Sequence, residues 1–230
     1  MNDQAWAEQT VLRSVDWFSR VYVSQSDAAN FPTDIAALER LLADTADALK
    51  HDRTTTVMRV PVRDDWLILK RYNPRNAWHK VKRALRRSRA RRCWNMSYAF
   101  QQAGLNVARP IMMCEHRFGP FRGNAYFASE LLDGSELLTA LPQMDEANQA
   151  KVKQALDDAF QRMRSAKISH GDLKASNLIW SNNALYFIDL DAAKQHWTLF
   201  GWHRSHRKDR RRFLKNWQDS PMLSSLFNKF

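Results

Sequence analysis

The segment Ile168-Ser169-His170-Gly171-Asp172-Leu173-Lys174-Ala175-Ser176-Asn177 sets a carboxylate, a cation and a carboxamide close together in the chain. An apolar run, Leu185-Tyr186-Phe187-Ile188, follows and ends in Asp189-Leu190-Asp191. Phosphoryl transfer asks for residues of these types: a carboxylate to orient and deprotonate an attacking hydroxyl, and oxygen ligands for Mg2+ bridging the phosphates of ATP. On this reading Asp172 is the base, Asn177 offers the metal a neutral oxygen, and Asp189 offers an anionic one from the end of a strand. Taken singly, each is better read as a turn residue, with Gly171 ending a helix in a left-handed conformation. Their joint occurrence in this order favours chemistry.

The pattern H-x-D-x-x-x-x-N, with a strand-terminal Asp about a dozen residues later, resembles the protein kinase-like superfamily. His-Gly-Asp in place of His-Arg-Asp is similar to its small-molecule and atypical branches, such as aminoglycoside phosphotransferases. The resemblance implies ATP and Mg2+ as cofactors, and places Lys174 beside the transferring phosphate, where a cation offsets developing charge. It also implies a strand lysine for the α and β phosphates, and Lys70 in Leu67-Ile68-Leu69-Lys70 fits. Phe127 to Gly134 resembles the segment linking the two lobes, with backbone groups from Glu130 to Leu132 binding adenine. Two features depart from the pattern. Arg89 to Gln102 contains no acid to pair with Lys70, and Cys93 stands where that Glu is expected. No glycine-rich loop precedes Lys70, so Thr54-Thr55-Thr56 would have to cap the phosphates.

Within the superfamily, the chain resembles the bacterial lipopolysaccharide core kinases, which phosphorylate heptose or Kdo (3-deoxy-manno-octulosonic acid). The features that carry this are a long basic helix ending in Ala103-Gly104-Leu105-Asn106-Val107-Ala108-Arg109-Pro110, the HGDLKASNLI loop, and Phe187-Ile188-Asp189-Leu190-Asp191. Only 41 residues follow Asp189, little room for a protein-substrate platform, which favours a sugar hydroxyl as acceptor. The implied partner is an anionic glycolipid or lipopolysaccharide precursor.

Elements must hold these residues in place. Thr33 to Asp52 reads as an amphipathic helix with Ile35, Leu38, Leu41, Leu42 and Leu49 on its apolar stripe. Thr54 to Val62 and Trp66 to Tyr72 read as a hairpin rich in β-branched residues. Asn76 to Gly104 has no Pro or Gly before its end and reads as one long helix capped by Gly104. Two strands, Ile111 to Glu115 and Tyr126 to Leu132, precede helices over Leu137 to Leu141 and Asp145 to Lys167. Leu178 to Trp180 and Leu185 to Asp189 form a last strand pair around Ser181-Asn182-Asn183. The expected fold is α+β and two-lobed, protein kinase-like, with a small strand-rich N-lobe over 54–132 and a compact, mostly helical C-lobe over 133–230. Residues 1–53 are expected as an N-terminal helical extension.

A length of 230 residues suits one large domain or two small lobes, and 44% hydrophobic content excludes a disordered chain. The net charge of +12 is concentrated. His79 to Arg92 holds 8 Lys/Arg and no acid, and His203 to Lys215 holds 7 Lys/Arg and one Asp, so the remainder is nearly neutral. Such stripes point to a polyanion: nucleic acid, an anionic membrane surface or a phosphorylated substrate. His203 to Lys215, interleaved with Trp202, Phe213 and Trp217, is expected at a membrane surface. Two cysteines, Cys93 and Cys114, make no disulfide framework. The N-terminus lacks a signal-peptide pattern, and no run is apolar enough to span a bilayer, so a cytoplasmic protein, peripheral to the inner membrane, is expected. Two other readings stand beside the kinase: a pseudokinase or scaffold that binds anionic lipid or protein, and an RNA-binding module.

Overall fold

The structure, a computed structural model, describes residues 10–15, 19–25, 48–52, 54–62, 65–73, 87–118 and 121–227. The chain forms two compact units: Met1–Tyr98 with Arg109–Leu131, and Ala99–Ala108 with Leu132–Phe230.

In the first unit, β1 (Thr10–Val15), β2 (Ser19–Ser24), β3 (Ala48–Asp52), β4 (Thr55–Val62) and β5 (Asp65–Tyr72) precede α1 (Arg89–Gln102). After β6 (Asn106–Val107), which belongs to the second unit, come β7 (Pro110–Phe118) and β8 (Phe121–Glu130). Seven of these strands make one sheet in the order β1-β2-β7-β8-β5-β4-β3. Alternation along each strand divides its residues between two faces. Val21, Val60, Leu69, Met112, Cys114 and Tyr126 belong to one buried cluster, and Tyr72, Met113 and Phe127 pack with Cys93 and Trp94 of α1 in the other.

Three expectations change here. The described part of residues 1–53 is strand, not a helical extension. Ala48–Asp52, expected as the end of a helix, pairs antiparallel with β4, whose open edge supplies hydrogen bonds that override a helical propensity. The rest of that helix, Thr33 to Asp47, lies outside the described residues. The long basic helix starts at Arg89, because the Ser88 hydroxyl accepts from the Arg91 amide at 2.9 Å and caps it. Asn76 to Arg86 lie outside the described residues.

The second unit receives α1 through Gly104. With φ at +73, Gly104 lets the Leu105 amide reach the Phe100 carbonyl and its own amide reach that of Gln101, closing the helix. Then follow β9 (Ser135–Glu136), α2 (Leu137–Ala140), α3 (Glu146–Ser165), β10 (Ile168–Ser169), β11 (Leu178–Ser181), β12 (Ala184–Phe187), β13 (Lys194–Gln195), α4 (Leu199–Lys215) and α5 (Pro221–Leu226). Asp145 caps α3 by accepting from the Asn148 amide at 2.7 Å. Val152, Leu156, Ala159 and Met163 form the buried stripe of α3, at helical spacing. A four-stranded sheet runs β6-β12-β11-β9, and a two-stranded one joins β10 to β13.

Candidate active site

The hairpin of β11 and β12 organises the candidate residues of the second unit. Its turn, Asn182-Asn183, has φ of 49° and 58°, the left-handed pair that a two-residue turn needs to match strand twist. The resulting register sets Leu178 opposite Phe187. One step outward, the Ile188 amide donates to the Asn177 carbonyl at 3.0 Å, which brings Asn177 beside the start of Asp189-Leu190-Asp191. The Asn177 side-chain amide donates to the Asp172 carbonyl at 2.8 Å. Asp172, Asn177 and Asp189 are therefore gathered by one loop and one hairpin. Asp189 is outside the strand that was expected to end on it; its φ of 61° and ψ of 53° are left-handed, where a non-glycine residue is uncommon.

Around Asp172, Lys174 Nζ lies 3.1 Å from Oδ2 and Arg212 Nη1 lies 3.5 Å from Oδ1. His170 is fully buried beneath the loop, edge-on to Phe100. Its Nε2 faces the Ile188 carbonyl at 3.0 Å, and a carbonyl only accepts, so Nε2 carries the proton. Nδ1 then accepts from the Asp172 amide at 3.4 Å. Burial lowers the pKa of His170, outweighing Asp209, the Ile188 bond, Asp189 and Asp172, which raise it. His206 and His196 are lowered as well, chiefly by desolvation. A histidine that is harder to protonate when folded leaves the unfolded state binding more protons. Its stabilisation is present above the unfolded pKa and is lost as pH falls through it. We expect the melting temperature to drop as pH falls below the ordinary histidine value of 6.5, and His170→Asn to flatten that drop, as read by thermal denaturation.

Gly171 accounts for the departure from His-Arg-Asp. Its φ is +83°, and a Cβ there would lie 2.8 Å from the Ala192 carbonyl carbon and closer still to its oxygen. Backbone cannot yield as a flexible side chain does. Gly171→Ala is expected to destabilise by about 2 kcal/mol or more in chemical denaturation; an unchanged midpoint would contradict the strained turn.

Sequence reasoning missed the helix that grips this loop. From α4, the fully buried Asp209 accepts from the Gly171 amide at 2.9 Å, and Arg212 donates to the Gly171 carbonyl. Just beyond the helix, the Asn216 side-chain oxygen accepts from the Ala175 amide at 3.0 Å. Trp202 Nε1 donates to the Ile168 carbonyl at 2.7 Å. The signal was present: Asp209 is the one acid in the basic run, on the same helical face as Trp202 and Phe213.

In the first unit, Lys70 lies half-buried on β5, opposite Phe127 and Val57. It shares a sheet face with Phe127, Met113 and Glu115, and Glu115 is a buried acid, 1% exposed. An acid absent from α1 is thus present on the sheet. Cys93 is hydrogen-bonded to the Tyr72 hydroxyl at 3.3 Å. The Thr55 hydroxyl accepts from Arg89. Glu130 is tied to Arg109 three times, its amide donating to the Arg109 carbonyl at 3.1 Å, its carboxylate accepting from the Arg109 amide at 2.8 Å, and its Oε2 lying 3.5 Å from Arg109 Nε. The Leu131 amide donates to the Trp66 carbonyl. Leu132 opens the longer segment of the second unit.

Compared with curated proteins, the chain matches none. Among solved structures it is similar to one described as WaaP in complex with acyl carrier protein, at 16% identity and a TM-score of 0.61 over 91% of this chain and 93% of that one. At that identity the likeness concerns the fold: a mixed arrangement of sheets and helices shared with WaaP. The model of the lipopolysaccharide kinase (Kdo/WaaP) family matches residues 37–224, most of the chain. The chain is therefore a kinase, a member of the lipopolysaccharide kinase (Kdo/WaaP) family.

Proposed function

We propose that the chain transfers the γ-phosphate of ATP, with Mg2+, to a sugar hydroxyl of lipopolysaccharide core, on heptose or Kdo. Its two units are then the lobes of a protein kinase-like fold. The observation that carries the reading is the hairpin register that seats Asn177 beside Asp189 while Asn177 holds the Asp172 backbone.

The residues divide the work as follows. Asp172 orients the attacking hydroxyl and takes its proton as the sugar oxygen bonds to phosphorus and the bond to the ADP oxygen breaks. Lys174, already 3.1 Å from Asp172, offsets charge on the transferring phosphate. Asn177 commits its amide nitrogen to the Asp172 carbonyl, leaving its oxygen as the ligand atom. That oxygen and the Asp189 carboxylate are a hard donor pair that fits Mg2+, an ion commonly held by one or two carboxylates plus substrate phosphates. When bound, Mg2+ supplies charge neutralisation across the phosphates. Lys70 takes the α and β phosphates. Adenine lies along Glu130 to Leu132; with the Glu130 and Leu131 amides engaged, the backbone donor to it falls to Leu132.

The acceptor is an anionic glycolipid, met at the cytoplasmic face of the inner membrane. Since the similar WaaP structure was solved with acyl carrier protein, that protein is a second candidate partner. A scaffold that binds nucleotide without transfer is favoured by one observation, the absence of an acid from α1. Mass spectrometry of lipopolysaccharide from cells with and without the gene separates these readings. Loss of a phosphate, or of a substituent built on it, is expected; an unchanged spectrum would contradict the proposal.

A further inference from the structure

The basic helix α4 has two faces with different tasks. Trp202, Asp209 and Phe213 are buried and hold the loop from Ile168 to Ala175, so the aromatics expected at a membrane surface point inward instead. The outer face is different. Phe200, Arg204, Arg207, Arg211 and Lys215 recur at intervals of four, three, four and four, which stacks them in one stripe, and all five are exposed.

Trp197 and Phe200 stand at the start of that stripe, 89% and 77% exposed, with Leu199 at 45%. Thr198 is the N-cap, its hydroxyl accepting from the Gly201 amide. A large apolar residue just before an N-cap ordinarily folds back onto the fourth helical residue, here Trp202. Trp197 does not, and Trp202 is buried without it. The wedge therefore adds nothing to the capping of α4, and water is a poor solvent for both rings.

We propose that this outer face docks the chain on an anionic lipid surface, with Trp197 and Phe200 entering the headgroup region and Arg204, Arg207 and Arg211 meeting lipid phosphates. Aromatic rings beside a cationic stripe suit an interface that is apolar below and negative above. No helix among the described residues is long and apolar enough to cross a membrane, so the contact lies in the interface plane. A lipid leaflet is chosen over a soluble polyanion because of the glycolipid acceptor proposed above, and the inference rests on that reading to this extent. The same helix then grips the catalytic loop on its inner face and the leaflet on its outer one, which holds the site close to acceptors anchored there.

Co-sedimentation of the full chain with phosphatidylglycerol-containing vesicles, against phosphatidylcholine vesicles, tests this. Wild type is expected to bind the anionic vesicles preferentially. Reversing Arg204, Arg207 and Arg211 to Glu is expected to lower the partition coefficient by about 100-fold or more. Trp197→Ser with Phe200→Ser is expected to lower it at least about 10-fold. Should the double variant express poorly, Trp197→Ser alone, outside the helix, is expected to shift it in the same direction. Equal binding to both vesicles, binding unchanged in the variants, or loss confined to an acidic protein or an RNA would overturn the proposal. Phosphorylation of a soluble, deacylated core oligosaccharide is expected to be the same in wild type and variants. Its absence from wild type would contradict the phosphotransfer reading, whereas vesicle binding reports on the docking face alone.

Discussion

Asp172→Asn is expected to lower the rate of phosphate transfer by about 10²–10⁴-fold, the range over which a positioned base contributes. The substitution keeps the shape of the side chain and removes its ability to take a proton. The Asn177 amide would still donate to the backbone carbonyl of residue 172, so the loop keeps its form. Neutralising the carboxylate breaks its ion pairs to Lys174 and Arg212, whose side chains are about half exposed, and pairs of that kind contribute roughly 1 kcal/mol or less. The melting temperature should therefore stay close to wild type, and Mg-dependent ATP binding should persist. Initial rates with labelled ATP, measured beside a thermal melt, check both halves. A variant that turns over at the wild-type rate removes Asp172 as the base.

Asp189 allows charge and backbone conformation to be separated. Asn tolerates the left-handed region almost as well as Asp does, so Asp189→Asn should fold normally while losing the carboxylate proposed to hold Mg2+. The loss of several kcal/mol of charge stabilisation corresponds to about 10³-fold or more in rate. Asp189→Ala removes the same carboxylate and also places a methyl-bearing residue at φ 61°, at a further cost of about 1 kcal/mol. The two variants should be equally inactive and should differ in melting temperature. Retained activity in Asp189→Asn would mean that the metal is held elsewhere.

The loop and hairpin were legible because their chemistry is local. Asp172 and Asn177 are five residues apart, and Asn182-Asn183 is a turn whose residues accept positive φ. What was hidden depends on partners distant in sequence. Asp209 is one acid among seven basic residues, and its hydrogen bond to Gly171, 38 positions away, shows why an acid stands there. Ser88 stands among Arg and Ala residues that favour helix, so propensity alone does not mark the cap at which α1 begins. Ala48–Asp52 has the composition of a helix end and becomes a strand because β4 offers it a free edge. The buried acid on the face of Lys70, Glu115, comes from β7 rather than from the following helix, and strand register alone brings it there.

The most direct test of the central claim is incubation of the purified chain with Mg-ATP and a heptose- or Kdo-containing lipopolysaccharide acceptor, followed by mass spectrometry of the acceptor. An acceptor heavier by one phosphate is expected, with matching release of ADP, and from Asp172→Asn the same product at a rate about 10²–10⁴-fold lower. Binding of Mg-ATP with no phosphorylated acceptor from either sugar would contradict it and leave the chain a nucleotide-binding scaffold.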